Sequence, residues 1–322
     1  MPLSKIRDGS LQFWPRKRAE KILPSANWNA LQKTLDKQEK KQGVLNGFIG
    51  YKVGMVSVYA KDNTPDSVMK GKKIIVPASI LECTKMKILS VRFYKNGQVV
   101  KDLIVNWEKD LKAKVKKPQN LAKLENLNFE YDDIRIVAYP KVSDIELKKS
   151  PEIIEISLNG TKEEKLAFVK EKMNKEISVS EVFKEGVVDI RGVTRGFGLQ
   201  GPVKRFGIGL KSHKSEKGVR RPGSLGPWHP AHTTFRTPIS GQTGFFTRVA
   251  YNNLILKISN VKELNLNEIK KGGFDNYGIL RGDFILLKGS VQGTKKRPLL
   301  ITNALRPTKK TTKQKLEFIE AR

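Results

Sequence analysis

The chain has 322 residues, 38% of them hydrophobic, and its 62 Lys and Arg against 32 Asp and Glu give a net charge of +30. Such an excess destabilises a compact fold by self-repulsion and indicates a polyanionic partner, most commonly nucleic acid. The sequence has no apolar run near the roughly 20 residues that cross a bilayer, and it starts without an apolar signal segment. One cysteine, Cys83, excludes a disulfide framework and a cysteine-based zinc site.

The N-terminal segment is predicted to be a basic extension covering residues 1–45. Its first 42 residues hold 10 basic and 4 acidic side chains, and the cluster WPRKR stands at residues 14–18. An excess of cations beside an aromatic ring suits phosphate pairing together with stacking on bases.

Residues 46–178 read as strands and one helix. Runs rich in β-branched and aromatic residues, bounded by turn residues, predict strands at 47–60, 73–82, 88–94, 99–105, 134–139 and 152–158. Asn96-Gly97 predicts a tight hairpin. Thr161 and Glu164 form a capping box ahead of an amphipathic helix whose apolar side is Leu166, Phe168, Val169 and Met173. We expect the first part of a β-barrel over 46–90 and an α+β insertion over 91–178, net acidic in its second half.

The central segment is the most basic part of the chain. Residues 191–250 hold 11 Lys and Arg, one acid (Glu216), 11 glycines and 5 prolines, with aromatic residues scattered singly. No periodic apolar face is present, so a barrel strand over 179–194 is expected to lead into a second extension, 195–248, without a regular core. Glycines let the backbone approach phosphates closely, and the cations attract them.

Two motifs in this segment have competing interpretations. Residues 196–201 match GxGxxG, but Pro202 and the glycines that follow argue against a helix there, so no dinucleotide cofactor is expected. His213, His229 and His232 are the only histidines; a metal site needs more ligands, so we interpret them as loop residues that contact RNA or solvent. No metal and no cofactor are predicted.

The last part of the chain returns to strand composition at residues 249–258, 279–289 and 299–302. These strands predict the rest of the barrel over 249–305, followed by a basic tail at 306–322. The fold class is therefore mainly β: a β-barrel with a small α+β insertion and two long basic extensions without a regular core.

Several longer motifs resemble one family. Residues 183–186 (FKEG) and 191–206 (RGVTRGFGLQGPVKRF) are similar to the signature region of the universal large-subunit ribosomal protein L3 family. The segments 226–232 (GPWHPAH) and 240–244 (SGQTG) fall where that family has its central extension. Further similar segments are GSLQFWPRKR at 9–18, FIGYKVGM at 48–55 and GSVQGTKKR at 289–297, and together they favour the archaeal branch.

The resemblance implies a translation-protein-type β-barrel whose two extensions enter large-subunit rRNA. It also implies that the central extension reaches toward the peptidyl transferase centre with Trp228 at the tip of a finger. The predicted rRNA contacts are Trp14, Arg16, Lys17, Arg18, Arg191, Arg195, Gly196, Gly198, Lys204, Arg205, Lys211, His213, Lys214, Lys217, Arg220, Arg221, Trp228, His229, His232, Arg236, Gln242 and Arg248.

The predicted function is that of a structural constituent of the large subunit that supports rRNA folding and assembly. Its expected partners are large-subunit rRNA and neighbouring ribosomal proteins, with the chain monomeric within a cytoplasmic ribosome and away from membranes. Two alternatives stay open at the level of the residues: an RNA-modifying enzyme, and another basic nucleic-acid-binding protein. No nucleophile–base spacing and no phosphate-binding GxxxxGK[ST] loop support an enzyme.

Overall fold

A computed structural model gives the three-dimensional structure and describes residues 9–37, 45–122, 124, 129–214 and 216–322. The chain forms two compact units, each made of two segments. The extension unit consists of Met1–Lys21 and Val193–Arg248, and the core unit of Ile22–Gly192 and Val249–Arg322.

The protein is mainly β, as predicted. The strands are β1 (Gly47–Asp62), β2 (Lys73–Cys83), β3 (Met86–Lys95), β4 (Gln98–Ile104), β5 (Asp133–Pro140), β6 (Ile154–Ser157), β7 (Val187–Val193), β8 (Gly196–Gln200), β9 (Gly241–Gly244), β10 (Thr247–Asn260), β11 (Asp283–Lys288), β12 (Pro298–Asn303) and β13 (Leu316–Ala321). The α-helices are α1 (Trp28–Lys37), α2 (Lys162–Lys172), α3 (Val179–Val182), α4 (Pro202–Phe206) and α5 (Lys309–Lys313), with 3₁₀ turns at Lys109–Leu111 and Leu266–Ile269. No helix among the described residues is long and apolar enough to cross a membrane.

The larger sheet of the core unit has seven strands in the order β12-β7-β10-β11-β2-β1-β13. Its longest strand, β1, pairs along one side with β2. On the other side, Gly47–Tyr51 pairs with β12 and Val58–Asp62 pairs with β13, all antiparallel. The first residues of β1 are buried on both faces, because apolar side chains cover both faces of the sheet there.

The smaller sheet of the core unit corresponds to the predicted insertion and has the order β4-β3-β5-β6. Asn96 and Gly97 join β3 to β4 with φ angles of 52° and 79°, as the predicted two-residue hairpin requires. Thr161 and Glu164 form the predicted capping box at the start of α2. On α2, Val169 is buried and Leu166 and Phe168 are half-buried against the core, as is Met173 directly after the helix.

Both sheets share one hydrophobic core, so the insertion does not have a separate interior. Phe48 and Tyr51 from β1, Phe93 from β3 and Phe284 from β11 are fully buried in the same cluster. A smaller cluster around Leu89, Leu111, Val137 and Tyr139 is formed separately from it.

The N-terminal extension is shorter than predicted. We expected residues 1–45 to lie outside the core, but α1 belongs to the core unit. Trp28 and Leu31 are 4% and 1% exposed, and a Cβ on Gly47 would lie 3.0 Å from the ring of Trp28. Apolar residues on one face of α1 cause the difference, since their burial holds the helix against the sheet. Residues 1–8 and 38–44 of the predicted extension lie outside the described residues.

The C-terminal segment is more ordered than the predicted basic tail. Residues 316–321 form β13, which extends the larger sheet by pairing with β1. Leu316 and Phe318 are half-buried against the core, so this segment is held by apolar contact as well as by the strand pairing.

Candidate nucleic-acid interface

Charge is concentrated in the extension unit. Its two segments hold 16 Lys and Arg against 3 Asp and Glu, whereas the core unit holds 46 against 29. The extension unit therefore has almost no acidic residues with which its cations could pair. Within the described residues it holds two ion pairs, Lys17 with Glu20 at 3.7 Å and Lys211 with Glu216 at 3.5 Å.

The extension unit does have regular structure, and the prediction of an extension without a regular core is wrong in this respect. Strands β8 and β9 pair antiparallel from Gly196 opposite Gly244 to Gln200 opposite Gly241. A Cβ on Gly244 would lie 2.0 Å from the carbonyl oxygen of Arg195, and its φ is 68°. Only glycine fits this position, because the two backbones approach so closely.

The GxGxxG segment is followed by a helix, contrary to the prediction. The one-turn helix α4 begins at Pro202, directly after Gly201, and ends at Gly207 in the left-handed conformation. Proline fits the first helical position because the N–H that it lacks would have no partner within the helix. The glycines at 196 and 198 lie inside β8 rather than in a strand-to-helix turn, which differs from the dinucleotide-binding arrangement.

An aromatic cluster forms the interior of the extension unit. Phe206 is fully buried, its ring stacks on Trp14 with centroids 6.2 Å apart, and Trp14 meets Phe235 edge to face at 5.6 Å. The guanidinium of Arg16 lies 4.2 Å from the Phe206 ring centroid, and its Nη1 donates to the carbonyl of Arg205 at 3.0 Å. Trp14 and Arg16, both predicted rRNA contacts, thus have packing roles inside the protein.

Arg205 is also engaged inside the protein. Its Nε donates to the carbonyl of Gln242 at 3.1 Å, and its Nη1 donates to the carbonyls of Ile239 and Ser240 at 3.0 and 3.4 Å. Burial lowers the pKa of this guanidinium, and the partners that receive its hydrogen bonds are neutral.

Arg191 lies outside the extension unit altogether. Its side chain is buried in the core unit, where Nη1 donates to the hydroxyl of Thr302 on β12. Desolvation lowers the pKa of Arg191, although the charge of Asp189 opposes this. At 7% exposure its placement does not support the prediction of Arg191 as an rRNA contact, because phosphate contacts need accessible cations.

Trp228 projects from the protein at 86% exposure. It lies in the finger loop, which we define as residues 207–240; Ser215 of this loop lies outside the described residues. Near the tip, the hydroxyl of Ser224 donates to the carbonyl of Gly226 at 3.0 Å, and the hydroxyl of Thr237 donates to the carbonyl of Leu225 at 3.2 Å. These local bonds hold the turn that carries Trp228 and leave its ring in solvent.

The other predicted residues divide by exposure. Gly196, Gly198 and the three histidines are exposed, whereas Gln242 and Arg248 are half-buried. Among the described residues, no three His, Cys, Asp or Glu side chains lie close enough together to hold a metal ion. The exposed predicted cations are Lys17, Arg18, Arg195, Lys204, Lys214, Lys217, Arg220, Arg221 and Arg236, whereas Lys211 is half-buried.

Three exposed rings of the extension unit were not among the predicted contacts, and the first of them, Phe13, is 50% exposed. Phe197 is 45% exposed, with Lys204 5.1 Å and Arg195 5.6 Å from its ring centroid, and Phe235 is 60% exposed. Aromatic residues standing singly in a basic, glycine-rich segment were the signal that could have identified them.

The sequence matches one family over its whole length. A model of the family described as ribosomal protein L3 matches residues 1–123 and 93–322. The protein named large ribosomal subunit protein uL3 of Methanocaldococcus jannaschii is 36% identical over 95% of this chain and 92% of its own length. Proteins of the same name from Archaeoglobus fulgidus and Sulfurisphaera tokodaii are each 37% identical, over 96% and 95% of this chain and 94% and 93% of their own lengths.

Proposed function

The chain belongs to the ribosomal protein L3 family, and we propose that the extension unit is the surface through which it binds large-subunit rRNA. Membership confirms the predicted archaeal-type resemblance and the predicted class, a structural component of the large ribosomal subunit rather than an enzyme. The observation that carries the proposal is the charge of the extension unit, 16 basic against 3 acidic residues.

Phosphate contacts are assigned to the exposed cations of the finger loop and of β8–α4. Lys214, Lys217, Arg220 and Arg221 are exposed on the finger loop, and Lys204 is exposed on α4. Pairing such side chains with phosphates releases condensed counterions, which makes binding favourable and strongly dependent on salt.

Base contacts are assigned to the exposed rings. Trp228, Phe197 and Phe235 are large apolar side chains that are 86%, 45% and 60% exposed, although Phe235 also packs on Trp14. Stacking on an unpaired base contributes about 1–3 kcal/mol per ring and tolerates any base. The resemblance implies that the Trp228 tip points toward the peptidyl transferase centre, and we include that position in the proposal.

The core unit is proposed to be a closed β-barrel. The support is that β1 pairs with both β2 and β12, which joins the two ends of the row β12-β7-β10-β11-β2-β1. A closed sheet has no free edge among these strands, so it resists pairing with other chains.

The test is the salt dependence of binding to a transcript of the large-subunit rRNA. Replacing Lys214, Lys217 and Arg220 by Ala should reduce the slope of log affinity against log salt by about 2–3, at 0.7–0.9 for each lost phosphate contact. The matched control replaces Lys162, Lys170 and Lys175 of the insertion and should leave the slope unchanged. Equal slopes for both triple variants, or equal affinity for duplex DNA, would contradict the proposal.

A further inference from the structure

We propose that Arg205 is a positioning residue that closes the base of the finger loop, and that it is not a phosphate contact. Its three hydrogen bonds all go to the segment Ile239–Gln242, where the finger loop returns to the sheet. Since Arg205 stands on α4, just before the loop begins, its side chain ties the start of the loop to the end.

The planar guanidinium suits this role. Nε and Nη1 point in fixed directions, so one side chain reaches the carbonyls of Gln242 and Ile239 together, at 3.1 and 3.0 Å. The carbonyl of Arg205 itself accepts from Arg16, and its guanidinium lies 5.1 Å from the Phe206 ring centroid. The residue is thus held at its backbone and at its side chain by the interior of the extension unit.

Gly241 gives a second, independent observation. A Cβ at this position would lie 2.7 Å from both Cζ and Nη1 of Arg205. The guanidinium therefore packs directly on the backbone of Gly241, and any side chain there would push it away. Although the end of an arginine usually moves easily, here that movement would break its bonds to three carbonyls.

Lys204 is the natural contrast. It is the preceding residue, it carries the same charge, and it is exposed, with its ammonium 5.1 Å from the Phe197 ring centroid. If Arg205 holds the loop and Lys204 contacts phosphate, Arg205→Ala should change the rate of cleavage in the loop and Lys204→Ala should change the salt dependence of rRNA binding. Neither variant should change the other quantity.

The first measurement is limited trypsin digestion of the free full-length protein, which needs no RNA. Arg205→Ala should speed cleavage after Lys214 and Arg220 about tenfold or more, because the hydrogen bonds that join the two ends of the loop are lost. Arg205→Lys should restore little of the resistance to cleavage, since one ammonium group cannot donate in the two fixed directions of Nε and Nη1. Gly241→Ala should act in the same direction, and its effect should largely disappear in the Arg205→Ala background. Lys204→Ala should match the unchanged protein.

The second measurement is the salt slope of rRNA binding, and this part rests on the proposed function. Arg205→Ala should weaken binding while leaving the slope unchanged, whereas Lys204→Ala should reduce the slope by about 0.7–0.9. Unchanged trypsin cleavage in Arg205→Ala, or a slope reduced as in Lys204→Ala, would overturn the inference. If the proposed function itself were wrong, Lys204→Ala would not alter the slope, but the cleavage result would stand.

Discussion

Trp228 is 86% exposed, although the large apolar surface of tryptophan normally favours burial. The prolines at 227 and 230 fix local φ angles and prevent a helix, so the turn presents the ring at a defined place. A ring that is already held loses less conformational entropy when it stacks on a base.

We expect Trp228→Ala to change the melting temperature of the free protein by less than about 1 °C, because a side chain that is 86% exposed buries little apolar surface. Ribosomes that contain the variant should have reduced peptide-bond formation or tRNA binding. The measurements are a thermal melt of the protein and an activity assay of mutant ribosomes. A drop of several degrees together with normal ribosomes would show that Trp228 stabilises the protein instead.

Whereas Trp228 is an exposed apolar side chain, Glu82 is a charged side chain buried in the core unit at 1% exposure. It accepts hydrogen bonds from the Tyr277 hydroxyl and from the backbone N–H groups of Arg281 and Gly282, the latter two at 2.8 Å. Burial and the nearby charge of Glu82 raise the pKa of Tyr277, so the hydroxyl keeps its proton and remains a donor.

Glu82→Ala should lower the free energy of unfolding by about 3–5 kcal/mol, since the buried Tyr277 hydroxyl and two partly buried backbone N–H groups lose their acceptor. Urea denaturation measures this change. The control is Glu130→Ala, which removes an exposed ion pair with Lys95 and should cost far less, because solvent screens that pair. Similar losses for the two variants would mean that the donors around Glu82 find water or other partners.

At the scale of elements, the question is whether α1 belongs to the core unit, as its burial indicates. Leu31 is 1% exposed in the main core, whereas Lys33, one half-turn further along the helix, is exposed. Leu31→Ala should destabilise the protein by about 3 kcal/mol through lost burial and the remaining cavity. Lys33→Ala should stay within about 0.5 kcal/mol. Chemical denaturation measures the free energy of unfolding of both variants. An unchanged value for Leu31→Ala would mean that α1 is not part of the core and belongs to the N-terminal extension.

At the scale of the whole molecule, the two ends of the central segment lie side by side. The backbone N–H of Thr194 donates to the carbonyl of Phe246 at 2.9 Å, so a two-glycine linker can replace residues 195–245. We expect a protein with this replacement, and without residues 1–21, to unfold cooperatively, because the core unit has its own hydrophobic core. It should also lose the salt-dependent part of its rRNA binding.

Circular dichroism during heating and filter binding of rRNA measure these two properties on the shortened protein. The unshortened chain is the control in both. A broad, non-cooperative melt would show that the core unit depends on the extension unit, and unchanged RNA affinity would place the interface elsewhere.

Local signals in the sequence determined much of the fold. All strands of the two sheets except β13, the Asn96-Gly97 hairpin and the capping box of Thr161 follow from side-chain patterns within a few residues, so they were predictable. The concentration of charge and the family motifs likewise predicted a basic central segment and nucleic acid as the class of partner. The α1 helix and β13 were not predicted, because what holds each of them is an apolar or strand contact with distant residues of the core unit.

The separate roles of Lys204 and Arg205 were decided only by the tertiary structure. The two cations are adjacent and both were predicted to contact rRNA, but only Arg205 reaches the carbonyls of residues 34 to 37 positions further along the chain. Charge is a property of composition and can be read from the sequence. Whether a cation meets phosphate or a carbonyl depends on which distant backbone the fold brings within hydrogen-bonding distance.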